Sequence, residues 1–183
     1  GGYTGSNQTT MDYVTISQTG NAIDFGDLSA NSNSPLIANS STRGLIGGVG
    51  ETNVIDFITI ATTGNAADFG DLTVARSGGA VGPLGNSTRG IFVSGYSGGD
   101  LNVLDFVTMA TTGNASDFGA SQTGAASSPT RGVFMGGIGG SPRAATNTTQ
   151  KIEILTEGNS VDFGDITTAR NGGGGISNGH GGL

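Results

Sequence analysis

Four copies of one triplet, Asp-Phe-Gly, raise a phosphoryl-transfer reading first. They stand at Asp24-Phe25-Gly26, Asp68-Phe69-Gly70, Asp117-Phe118-Gly119 and Asp162-Phe163-Gly164. In a phosphotransferase the aspartate of this triplet holds magnesium, alongside a glycine-rich phosphate loop, a strand lysine and a catalytic loop. The chain has one lysine, Lys151, and none of those partners. Fourfold recurrence also argues against a single catalytic role. The residue types instead suit a structural phrase. Gly64-Asn65 reads as a tight turn, because Gly and Asn tolerate positive φ. Asp68 then accepts from backbone N–H groups, and Phe69 is an apolar anchor. Gly70 lets a neighbouring chain approach closely.

Eleven of the fourteen acidic residues sit at repeated positions. They are Asp12, Asp56, Asp105 and Glu153; Asp24, Asp68, Asp117 and Asp162; and Asp27, Asp71 and Asp165. Repeated oxygens around turns suit calcium, which takes six to eight oxygen ligands, but the dense alternating acids of a calcium loop are absent. The expectation is therefore no cofactor, with calcium as the alternative. The acids are expected to bond backbone and to pair with Arg43, Arg89 and Arg131 of the recurring Thr-Arg-Gly turns. The single histidine, His180, lies in a glycine-rich stretch aligned with those arginines. Without cysteine or a second histidine, no zinc site or histidine-based triad can be assembled. The glycine runs at 136–140 and 172–175 lack the following helix that a phosphate cradle needs. Asn-x-Ser/Thr triplets at Asn7, Asn39, Asn86, Asn114 and Asn147 suit chance in so Asn-, Ser- and Thr-rich a chain. Tyr3 and Tyr96, which follow glycine exits, are the candidate binding aromatics.

Short strands must position these residues. The units start at 1, 47, 94 and 136, so the repeats run 1–46, 47–93, 94–135 and 136–183. Each is about 46 residues, a length that suits one supersecondary unit. One unit contains a glycine-ended apolar strand (88–95), an alternating strand (102–111), a strand from the triplet (68–76) and a weak strand (34–41). In the alternating strand Val103, Asp105, Val107 and Met109 share one face, and Leu104, Phe106 and Thr108 the other. No window carries a helical stripe, and Gly, Thr, Ser and Asn are poor helix interiors. The class is all-β. A fifth start would fall at 184, so a whole number of units is expected, with one strand split between the two chain ends. The first residue is Gly, which suits a processed product or part of a longer protein.

Composition bounds the partners. Glycine numbers 36 of 183 residues, roughly three times the usual share, but without the every-third spacing of collagen. Net charge is −7, and the seven Lys and Arg are scattered. Nucleic acid needs clustered cations to displace phosphate counterions, so no nucleic-acid partner is expected. No apolar run approaches the ~20 residues of a membrane helix, so no membrane insertion is expected.

The four-stranded unit resembles the kelch repeat of β-propellers. Gly47-Gly48 and Gly136-Gly137 resemble its double glycine, whereas the third unit has Ser94-Gly95. Asp12-Tyr13, Asp56-Phe57 and Asp105-Phe106 resemble its acid–aromatic pair in reversed order, with Glu153-Ile154 placed there in the fourth unit. Phe25, Phe69, Phe118 and Phe163 stand where the family has Trp, and Arg76 and Arg170 resemble its trailing Arg. The wording is similar to kelch-like repeats of marine bacteriophage structural proteins. The resemblance implies a four-bladed propeller-like array of mostly antiparallel blades, in a virion or extracellular setting. It implies a non-enzymatic virion or tail module that binds other virion or self subunits, or a host-surface glycan or protein. The alternatives are a self-assembling extracellular filament or surface-layer subunit, and a carbohydrate-active enzyme.

Overall fold

The computed structural model describes residues 1–78, 84–120, 125–139 and 144–170. The fold is all-β and comprises four antiparallel sheets. The first contains β1 (Gly2–Tyr3), β2 (Asn7–Tyr13) and β3 (Ile23–Ser32). The second is a meander of β4 (Leu36–Asn39), β5 (Arg43–Gly47), β6 (Val54–Thr59) and β7 (Ala67–Asp71). The third is a meander of β8 (Leu84–Gly85), β9 (Arg89–Tyr96), β10 (Asp100–Thr108) and β11 (Ser116–Ala120). The fourth contains β12 (Ala125–Ser127), β13 (Arg131–Met135), β14 (Ile138–Gly139), β15 (Ala144–Glu153) and β16 (Val161–Arg170). There β15 is central: it pairs with β13 and β14 along one side and with β16 along the other. A 3₁₀ turn at Val49–Glu51 is the one helical element among the described residues.

The sheets are out of phase with the sequence units. β4 and β5 close the first unit in sequence but open the second sheet in space. The phase shift matters because it puts each Thr-Arg-Gly strand beside the acid–aromatic strand of the following unit. The C-terminal half of the expected split strand, with His180 and the glycine run 172–175, lies outside the described residues.

The triplet is a β-bulge in all four sheets. Ile55 faces Gly70 while Asp56 faces Asp68, so Phe69 has no opposite residue. The same slip occurs at Met11/Asp12 over Phe25, at Leu104/Asp105 over Phe118, and at Thr149/Gln150 over Phe163. A bulge bends its strand and re-aims a side chain. Here it needs the left-handed glycines Gly26, Gly70, Gly119 and Gly164, whose φ values are 142°, 147°, 144° and 132°. The aspartate steadies the bend: Asp24, Asp117 and Asp162 each accept a bond from the N–H of their own triplet glycine.

The core lies between successive sheets. One cluster joins Leu45, Ile55 and Phe69 of the second sheet to Phe92, Val107 and Met109, on or next to strands of the third. Another joins Ile91, Leu104 and Phe118 of the third to Phe134, Ile152 and Ile154, on or next to strands of the fourth. A smaller one joins Leu28 of the first to Ile46 and Val49. The alternating strand β10 therefore buries both faces: Val107 and Met109 against the second sheet, Leu104 against the fourth.

Candidate functional site

One junction is built three times. The Gly-Asn turn of each sheet lies against the triplet of the sheet before it. Gly64 N–H donates to the Phe25 carbonyl, Gly113 to Phe69 and Gly158 to Phe118, at 2.7, 2.7 and 2.8 Å. Two residues on, Ala66, Ala115 and Ser160 donate to the carbonyls of Asp27, Asp71 and Ala120. The asparagine side chain completes the clasp. Asn65, Asn114 and Asn159 accept through Oδ1 from the backbone N–H of Asp27, Asp71 and Ala120, each at 3.1 Å. A Cβ on Gly26, Gly70 or Gly119 would collide with the Gly64, Gly113 or Gly158 carbonyl. We expect Asn114→Ala to lower stability by about 1 kcal/mol, the value of one such bond, in urea unfolding.

The acid of the acid–aromatic pair reaches across the same junction. Asp56, fully buried, accepts from Ser29 N–H of the first sheet at 2.8 Å. Asp105 accepts from Thr73 N–H and Oγ1 and from Arg76 Nη1, the last at 2.7 Å. Arg76 and Asp105 form an ion pair with no side-chain exposure. Arg76 Nε also donates to the Ser94 carbonyl. At the first junction the position matching Arg76 holds Ser32, and Asp56 Oδ1 has no partner.

Two sequence expectations change here. The fourth sheet carries Gln150-Lys151, not Glu153-Ile154, at the acid–aromatic position, because Gln150 faces Asp162 as Asp56 faces Asp68. Counting back from each Gly-Asn turn gives the same alignment: the pair sits eight and seven residues before the glycine. Tyr13, Phe57 and Phe106 meet the triplet phenylalanine edge-on at about 6 Å, whereas Lys151 Nζ sits 6.0 Å from the Phe163 ring. The second change concerns the Thr-Arg-Gly arginines. Arg43 donates to the Met109 carbonyl and covers Phe57; Arg89 donates to the Ile154 carbonyl and covers Phe106. A carbonyl beside the next sheet and an aromatic face hold the guanidiniums of Arg43 and Arg89. Arg131 alone of the three meets one of the acids expected at repeated positions, Glu153, at 2.9 Å on the surface. Arg89 also meets Glu157, at 3.4 Å.

Sequence reasoning missed the Arg76–Asp105 pair. Its signal was the trailing arginine six residues after the triplet glycine, present only in the second and fourth units.

Tyr3 and Tyr96 are 69% and 53% exposed, at the ends of β1 and β9. Tyr96 begins the turn between β9 and β10, where Gly98 has φ 70°. Glu51, in the 50–53 loop, holds the left-handed conformation at φ 62°, which a non-glycine rarely adopts. Among the described residues no three acidic or histidine side chains converge on a point that could hold a metal. An open depression of about 240 Å³ beside Lys151, Glu153, Gly158 and Asn159 is smaller than ordinary ligand pockets. Among the described residues no helix is long and apolar enough to cross a membrane.

No protein-family model and no curated protein matches the chain.

Proposed function

We propose that the chain is a non-enzymatic structural or adhesive module, a propeller-like array of kelch-type repeats carried on a bacteriophage virion or tail. The observation that carries this reading is the use of the repeated polar residues. Asp56, Asp105, Asn65, Asn114, Arg43 and Arg89 are all engaged in fixing one sheet to another. Chemistry repeated by symmetry and committed to a frame leaves recognition to the loops, and loops on a rigid scaffold are where binding resides. The 96–102 turn, with exposed Tyr96 and three glycine or serine neighbours, is the first candidate. Its partner would be a host-surface glycan or protein, or another virion subunit.

The test replaces the exposed Tyr96 by Ser and the 97–99 turn by another Gly-Ser sequence, and measures binding to immobilised bacterial surface polysaccharide and to intact cells. Binding should be lost while the melting temperature holds. Release of sugar from that polysaccharide, abolished by neutralising one carboxylate, would instead make the chain a glycosidase. A second reading, a self-assembling extracellular filament subunit, is favoured by the open faces of the two terminal sheets.

A further inference from the structure

The junction has a donor half and an acceptor half, and each terminal sheet leaves one half uncovered. The fourth sheet carries the triplet half. Phe163 is 55% exposed, against 8%, 2% and 2% for Phe25, Phe69 and Phe118. The first sheet carries the turn half. A Cβ on Gly164 would meet nothing within 4 Å, whereas one on Gly26, Gly70 or Gly119 would collide with the turn of the next sheet. Among the described residues no bond joins Gly20 to Phe163, so the two halves do not meet within one molecule.

The uncovered halves complement each other residue by residue. Gly20-Asn21 is the same residue pair as Gly64-Asn65 and Gly113-Asn114, four residues after Ile16. Ile16 is 99% exposed, whereas its counterparts Met109 and Ile154 are 2% and 0% exposed inside their junctions. Ile60, at the junction with the first sheet, which has three strands and no Thr-Arg-Gly strand among the described residues, is 46% exposed. Arg43 reaches the Met109 carbonyl and Arg89 the Ile154 carbonyl; the next arginine in the series is the half-exposed Arg131, and the carbonyl at the matching position after β2 is that of Ile16.

Charge makes the match specific. Asp12 lies eight residues before its turn glycine, as Asp105 does, and Arg170 lies six after its triplet glycine, as Arg76 does. The backbone confirms the second equivalence: Gly48 packs under the Arg76 carbonyl and Gly136 under that of Arg170. Asp12 and Arg170 are both exposed. They are the two halves of the buried pair that the middle junction forms within the chain.

We infer that the fourth sheet of one molecule receives the first sheet of a second copy of this chain. The contact repeats the internal junction, with Gly20 N–H on the Phe163 carbonyl, Asn21 on Asp165 N–H, and Asp12 paired with Arg170. Such a head-to-tail contact is heterologous, so copies add one after another, into a ring where the rotation between them closes and into a row where it does not. The inference concerns the frame and is independent of what the loops bind: loop replacement tests the one reading, and changes to the terminal sheets test the other.

Sedimentation velocity over a concentration series tests it. The wild-type chain should exceed its 18.0 kDa monomer mass progressively as concentration rises. Asp12→Arg and Arg170→Asp should each weaken association by at least about tenfold, as loss of one partner of a buried charge pair does. Both positions are exposed in the single chain, so circular dichroism should match the wild type. An equimolar mixture of the two variants should regain association. The altered head of one then meets the altered tail of the other, and the remaining two surfaces are wild type. A wild-type chain that stays at 18.0 kDa at every concentration overturns the proposal, whether its ends remain open or close on each other. So does association that the single variants leave unchanged or that the mixture does not restore.

Discussion

A Gly70→Val chain is expected to lose the junction between the second and third sheets and, with it, most of its cooperative unfolding. Three costs fall on one site. The backbone at φ 147° is one that L side chains rarely adopt, at about 1–3 kcal/mol. The new side chain would also be driven into the Gly113 carbonyl and to 2.9 Å from Asn114 N. Relief of that clash breaks the Gly113–Phe69 and Ala115–Asp71 bonds and the Asn114 clasp, each of about 1 kcal/mol. Phe69 would then be drawn from the core it shares with Phe92, Val107 and Met109. The total, of order 5 kcal/mol or more, matches the whole stability of many domains. Thermal unfolding followed by circular dichroism measures it. Gly164→Val is the control. It has the same triplet context at φ 132° but meets nothing within 4 Å in the single chain, so at concentrations where the chain is monomeric it should show the backbone strain alone. Equal losses at the two sites would mean that strain, not close approach, makes the glycine necessary.

Asp105→Asn carries the second large effect. Its carboxylate takes the Arg76 guanidinium and both donors of Thr73, in a setting with no solvent for either charge. Removing the negative charge leaves Arg76 buried and uncompensated, at a cost of about 3–5 kcal/mol. The Arg76→Met/Asp105→Leu double variant should recover only part of that loss: two apolar side chains need no partner, but the Thr73 N–H and the Ser94 carbonyl lose theirs. Denaturant midpoints of the wild type, both singles and the double give the coupling directly. The surface pair Arg131–Glu153, with half-exposed side chains, should cost less than about 1 kcal/mol when broken, since water screens it. If Asp105→Asn proved as mild as Glu153→Gln, the junction would not depend on its buried charge.

The same comparison shows how far the residue pattern alone could be read. The strands were legible because alternation and glycine punctuation are local. β4 falls inside the weak stretch at 34–41, and β9 matches 88–95 to within a residue at each end. The stretch from the Gly-Asn pair to the triplet was legible as turn, anchor and close-approach glycine because each residue type has few backbone uses. That it is a bulge could not be read, since a bulge is defined by the residue missing from the partner strand. The misplaced acid–aromatic pair in the fourth unit has a related cause. Its spacing from the Gly-Asn turn was present in the sequence, but Glu153-Ile154 looked more like an acid–apolar pair than Gln150-Lys151 did.

What the sequence by itself determined is the all-β class, the fourfold unit and the positions that mark it, because periodicity and backbone permissiveness are properties of short segments. Only the tertiary structure decided where those units meet. It set the sheets out of phase with the repeats, joined Arg76 to Asp105 across 29 positions, and left Phe163 and Ile16 uncovered at opposite ends. The physical reason is that a sheet buried on both faces needs a neighbour on each side. Local pattern records that need in every copy alike. Which copies have it met, and which present it to solvent, depends on which sheets the fold brings together.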